Sequence, residues 1–150
     1  MSNIDVVRGY YAAIAAGDFD TARALTDPGI DFNIAYGFPA GGRYHGHHDL
    51  FDGFYPASFE AWAHIAVEVD EFVESGDTVV SLGRYVGTTR TSGIEFAAPF
   101  AHVSRVHDGR LTNVSQYVDT HMLDRAIEGR PLVVDERRQW VNRVTEPSAA

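Results

Sequence analysis

Phe96-Ala97-Ala98-Pro99-Phe100-Ala101-His102-Val103-Ser104-Arg105-Val106-His107-Asp108-Gly109-Arg110-Leu111-Thr112-Asn113-Val114-Ser115-Gln116-Tyr117-Val118-Asp119 reads as two long antiparallel strands around a tight turn. The loop expected here is His107-Asp108-Gly109, with Gly109 left-handed in a G1 bulge, because glycine takes a positive φ without strain. Side chains alternate faces along a strand. That loop therefore gathers Phe100, His102, Val106, Val114, Gln116 and Val118 on one side. A two-residue Asp-Gly turn would slip the register by one and part His102 from Gln116. A histidine and an amide on an otherwise apolar face mark a pocket.

Outward from this hairpin the chain divides into helices first and strands later. Ile4, Val7, Tyr11 and Ile14 recur at helical spacing after a Ser2/Asn3 cap, and Gly17 ends that helix. Asp18 caps a short second helix through about Leu25. Thr26-Asp27-Pro28-Gly29 is a turn, and Ile30, Phe32, Ile34 and Tyr36 alternate as a first strand. Gly37 to Gly46 reads as loop. A third helix fits His47 to about Tyr55, where Pro56 interrupts or restarts it. Strands follow: Ile65, Val67 and Val69, then a Ser75-Gly76-Asp77 hairpin, then Val80, Leu82 and Val86. Thr91-Ser92-Gly93 leads into the final hairpin. Thr120 or Asp119 caps a last helix, stopped by Gly129. This order predicts an α+β fold with the helices on one sheet face. Tyr85, Ala101, Val103 and Tyr117 fall on the other face, and an apolar face in water needs a cover, so a homodimer through the sheets is expected. The domain reading is 1–129 as one folded unit and 130–150 as a tail, partly docked or flexible, with Trp140, Val141 and Val144 as its docking residues.

Composition narrows the function classes. A net charge of −9 and a pI of about 5.1 argue against nucleic-acid or anionic-membrane partners. Cysteine is absent, which excludes disulfides, thiolate catalysis and zinc–thiolate sites. No apolar run approaches the ~18 residues of a membrane span, and Met1-Ser2-Asn3-Ile4-Asp5 is no secretory start; a soluble cytoplasmic protein is expected. His45, His47 and His48 lack metal-ligand spacing and read as a solvated loop and helix start. No dinucleotide fingerprint or phosphate loop occurs, so the expectation is a pocket without cofactor or metal.

Several stretches together resemble the nuclear transport factor 2-like superfamily, in its SnoaL-like branch near ketosteroid isomerases, polyketide cyclases and limonene epoxide hydrolases. They are Tyr10 to Asp18, Gly42-Arg43-Tyr44-His45-Gly46, Leu82-Gly83-Arg84-Tyr85, Pro99 to Val103, Val106 to Arg110, and Gln116-Tyr117-Val118-Asp119. The resemblance covers roughly residues 4 to 128. It implies a cone: a curved, mostly antiparallel sheet wrapped around N-terminal helices, enclosing an apolar pocket, commonly in a homodimer. It also implies an acidic general base on the last strand, a place that falls on Gln116, whose amide can orient a ligand oxygen but cannot take a proton. Limonene epoxide hydrolases carry an Arg-x-Asp pair on the strand of Arg84, and Val86 stands in the acidic place.

The candidate catalytic residues are His102, Gln116, Arg84 and Asp119. His102 is the acid/base candidate, with a core histidine as the plain alternative. Arg84, in phase with Val80, Leu82 and Val86, is placed on the core face, where it needs a ligand or an internal carboxylate as partner. Asp119 lies on the opposite face, as a helix cap, an arginine partner, or the acid nearest the base position. Tyr11, Tyr36, Phe54, Tyr55, Trp62, Phe100 and Val114 are the candidate ligand-contact residues; the loop from Tyr36 to Tyr44 and the aromatic helix close the pocket mouth. The function expected is a cofactor-independent enzyme of secondary metabolism. It would isomerise, cyclise or dehydrate a small hydrophobic carbonyl or cyclic compound by proton transfer, with Arg84 and Gln116 stabilising an oxyanion. A non-catalytic ligand-binding protein and a protein-contact scaffold are the alternatives.

Overall fold

The computed structural model describes residues 1–142. Helix α1 (Asn3–Ala16) starts in a reciprocal cap: the Ser2 hydroxyl accepts the Asp5 N–H and the Asp5 carboxylate accepts the Ser2 N–H, both at 3.1 Å. Gly17, at φ 68°, ends it. Asp18 caps α2 (Phe19–Ala24). Strands β1 (Thr26–Ile34) and β2 (Gly42–His45) follow, so part of the expected 37–46 loop is strand. His48–Phe54 is wound as a π-helix, burying Leu50, Phe51 and Phe54, and α3 (Tyr55–Phe59) restarts with Pro56 in its first turn. Then come β3 (Trp62–Ser75), β4 (Thr78–Thr89), β5 (Glu95–His107), β6 (Arg110–Val118) and α4 (Thr120–Ile127), the last capped by Asp119 rather than Thr120. No helix of the described residues is long and apolar enough to cross a membrane.

The strands form one curved, unclosed sheet in the order β2-β1-β6-β5-β4-β3. β1 and β6 run parallel and every other neighbouring pair is antiparallel. The expected 26–29 turn lies inside β1 as a bulge: between the pairs Thr26–Leu111 and Asp31–Asn113, β1 advances five residues and β6 two. Asp27 makes the turn there by accepting the Gly29 N–H at 2.8 Å.

The decisive hairpin pairs His102 with Gln116, as expected, but by a different device. His107 pairs with Arg110 across a two-residue turn, Asp108-Gly109, both at positive φ (49° and 75°) as a type I′ turn requires. The register is regained one step later, where Arg105 faces Asn113 while Val106 faces Leu111, leaving Thr112 as the extra residue of a bulge on β6. The predicted loop length was wrong and the predicted face was right, because the extra residue sits in the strand instead of the turn.

The phase of β4 is a second correction. Val79, Ser81, Gly83 and Tyr85 are the inward residues. Val80, Leu82, Arg84 and Val86 point to the outer face. Both sets contain apolar side chains, so alternation alone carried no sign. Two glycines on this strand let the sheet curl. A Cβ on Gly83 would lie 2.0 Å from the Glu68 carbonyl oxygen, and one on Gly87 would lie 2.1 Å from that of His64. The backbone of β3 folds over β4 at those two points, each beside an irregularity in the β3–β4 register. The tail is tied to the outer face by Asn142, whose Nδ2 donates to Asp70 Oδ2 (3.0 Å) and the Gly83 carbonyl (3.2 Å). Trp140 and Val141 are exposed, and Val144 lies outside the described residues.

Candidate active site

The curl of the sheet over α1 and α3 encloses a chamber of about 460 Å³, within the range of small-molecule sites. Its inner end is lined by Tyr11 from α1, Tyr85 from β4, His102 from β5 and Gln116 from β6. Phe38, Phe54, Tyr55 and Trp62 make an aromatic side wall. Exposed lining residues Ala15, Gly17, Ala63 and His64 mark the mouth, between the end of α1 and the start of β3. Arg90 also borders the chamber, and its guanidinium donates to the carbonyls of Phe59, Glu60 and Trp62 (2.8–3.3 Å), fixing the end of α3.

The polar groups of the inner end form one connected chain. Tyr11 Oη lies 2.6 Å from His102 Nδ1, and Tyr85 Oη lies 2.8 Å from His102 Nε2. Gln116 Nε2 donates to Tyr85 Oη at 2.8 Å, while Gln116 Oε1 accepts the Ala35 N–H at 3.2 Å. Phe100 stacks on the imidazole, centroids 4.0 Å apart and planes 16° apart. On the side wall the hydroxyls of Tyr10 and Tyr55 bond each other. Burial pushes His102 down to about 3, so the ring is neutral near pH 7. The same desolvation pushes all four phenols, Tyr10, Tyr11, Tyr55 and Tyr85, up from their ordinary value; the Ser81 hydroxyl draws Tyr11 slightly back. No Asp or Glu is among the described lining residues. Nor do three or more metal-ligating side chains cluster anywhere among the described residues.

Seven of the residues singled out from the sequence therefore meet in one chamber: His102, Gln116, Tyr11, Phe54, Tyr55, Trp62 and Val114. Four do not line it. Phe100 is buried but stands behind the imidazole. Tyr36 is 91% exposed. Arg84 faces outward and pairs with Glu68 (3.2 Å) and Asp70 (2.8 Å) on β3, which corrects its placement in the core. Asp119 caps α4, its Oδ1 accepting the Met122 N–H at 3.1 Å. Sequence reasoning missed Tyr85, the bridge between His102 and Gln116. A usable signal existed: Glu68 and Asp70 supply outward partners for Arg84, and an outward Arg84 turns Tyr85 inward.

A family model for the SnoaL-like domain matches residues 7–114. An NTF2-like protein from Burkholderia thailandensis is 30% identical, with a TM-score of 0.78 over 85% of this chain and 98% of that one. An NTF2-like protein of unknown function from Burkholderia pseudomallei is 29% identical, with a TM-score of 0.77 over the same shares. A putative SnoaL-like polyketide cyclase from Jannaschia is similar in fold, at 20% identity and a TM-score of 0.75 over 86% of this chain and 93% of that one. No curated protein matches the chain.

Proposed function

The chain belongs to the SnoaL-like domain family, and from that premise we propose that it binds a small, uncharged, mostly apolar carbonyl compound inside the cone. There it promotes proton-transfer chemistry of the isomerisation, cyclisation or dehydration class. The observation that carries this reading is the polarity of the chamber: un-ionised phenols beside a neutral imidazole in a mostly apolar wall, without carboxylates among the described lining residues and with the bordering Arg90 held by backbone carbonyls. A cationic ligand would lose its hydration there and find no carboxylate among the described lining residues. An anionic one would find only the bordering Arg90, whose guanidinium already donates to the Phe59, Glu60 and Trp62 carbonyls. A carbonyl oxygen finds hydrogen-bond donors. When a proton leaves the carbon beside that carbonyl, negative charge collects on the oxygen, and a fixed phenolic donor in a water-poor site stabilises it. In this reading His102 is a bridge between phenols, not the base. His64, the imidazole at the mouth, is the candidate for taking the proton from carbon.

2-Acetylnaphthalene and its hydrocarbon isostere 2-isopropenylnaphthalene test the proposal, one with a C=O and the other with a C=CH2. The ketone is expected to bind about fivefold more tightly, the value of one modest hydrogen bond. In D2O the protein should accelerate deuterium uptake into the ketone's methyl group. Tyr11→Phe should level the two affinities and remove the acceleration. Equal affinity for both compounds in the unaltered protein would overturn the carbonyl reading. A second reading, ligand binding without turnover, is favoured by Gln116 standing where related cyclases carry an acidic base. Ketone preference without deuterium uptake would decide for it.

A further inference from the structure

Each phenol in the inner chain has one proton to give, and a neutral imidazole has one donor and one acceptor nitrogen. Gln116 Oε1 accepts the Ala35 N–H, so the amide NH2 is turned to the Tyr85 oxygen, which accepts it. Tyr85's own proton then has one described partner left, His102 Nε2 at 2.8 Å. Nε2 accepts, so the ring proton sits on Nδ1 and is donated to the Tyr11 oxygen at 2.6 Å. Tyr11 keeps its own proton to give, and it lines the chamber. The other group beside it is the buried Ser81 hydroxyl, which makes no hydrogen bond of good geometry. The opposite direction would leave the Tyr85 proton without an acceptor among the described side chains of the free protein, which is costly in an apolar wall.

We propose that Gln116 is the specificity-determining residue of this chamber: its amide, oriented by the Ala35 backbone, sets the polarity of the whole chain, so that Tyr11 donates and the ligand must present an acceptor. The ligand half of this statement rests on the carbonyl reading above. The polarity half is a property of the free protein. Gln116 acts through Tyr85 and His102 and is a positioning residue, separated from the ligand-contacting hydroxyl by two side chains.

Long-range 1H–15N correlation spectra of the ligand-free protein at pH 7 read the His102 tautomer directly. The expected state is a protonated Nδ1 and a bare Nε2, the reverse of what free imidazole side chains favour. A proton on Nε2, or a charged ring, would overturn the proposal without any variant being made. In Gln116→Glu an ionised carboxylate accepts from both Ala35 and Tyr85, so Nε2 must donate to Tyr85 and Nδ1 must accept from Tyr11. The tautomer should then invert, and the roughly fivefold preference for 2-acetylnaphthalene over 2-isopropenylnaphthalene should fall to about one. If the introduced carboxyl is protonated it keeps the amide's polarity, so the spectra are taken on both sides of its titration, followed by the carboxyl 13C shift. A tautomer unchanged across that titration overturns the proposal. If the variant does not fold, the unaltered protein's spectrum decides. The Nδ1–H tautomer with no ketone preference would uphold the polarity and sink the carbonyl function, which separates the two failures.

Discussion

His102 ties the fold to pH. Its ordinary value of 6.5 is pushed down to about 3 by burial, so below 6.5 the unfolded chain binds a proton that the folded chain refuses. The stabilisation is complete above pH 6.5 and erodes as pH falls through the window from 6.5 to about 3, on the order of 1 kcal/mol per pH unit. Denaturant midpoints measured from pH 8 to 4 should therefore fall more steeply for the unaltered protein than for His102→Gln, which has no group to titrate there. Parallel curves would mean that the folded ring takes up its proton as readily as the unfolded chain does. His102 and Gln116 could be found in the sequence because a polar residue on an apolar alternating strand is conspicuous. Arg84 misled for the converse reason: its strand is apolar on both faces, and the carboxylates that hold it outward, Glu68 and Asp70, come from another element. Tyr85, hidden by that one inversion, is the residue without which His102 and Gln116 are not connected.

At the scale of elements, two local devices shape the chamber. The first is the Asp108-Gly109 turn with its compensating bulge at Thr112. Gly109 sits at φ 75° with open space where a Cβ would be, so Gly109→Ala meets only backbone strain and should cost about 1 kcal/mol. The second is the pair Gly83 and Gly87. Gly83→Ala forces a Cβ against the Glu68 carbonyl, a backbone atom that cannot rotate away. A loss of about 2–3 kcal/mol is expected from that clash, together with a flatter β3–β4 pair and weaker ligand binding. Thermal melts of the two alanine variants, side by side, check the ranking; Gly83→Ala milder than Gly109→Ala would show that β3 can shift. The hairpin was legible because Asp-Gly between alternating strands is a local signal. The curl was not, because what Gly83 and Gly87 avoid is the backbone of a different strand, brought against them only by the fold.

Over the whole molecule, the run of helices followed by a run of antiparallel strands was enough to read the α+β architecture, and the quoted motifs placed it in its superfamily. What the outer sheet face does is a separate matter. Once the phase of β4 is corrected, that face carries Val80 and Leu82 beside Ala101, Val103 and Tyr117, the last 63% exposed. Tyr85 leaves this face, and three aliphatic residues, Val80, Leu82 and Val86, join it together with the ion-paired Arg84. Among the described residues the tail reaches this face at its Gly83–Asp70 end, through Asn142. We propose that a second copy covers it, since a two-fold pairing of one patch with itself closes without further growth. Each copy carries a net charge of −9, so salt should strengthen the association by screening the repulsion. Val103→Glu would bring a carboxylate from each copy into that contact and should yield monomers with an unchanged fold. Sedimentation at micromolar concentration is the measurement: a monomeric unaltered protein, or a Val103→Glu variant that remains dimeric, would rule this face out as the interface.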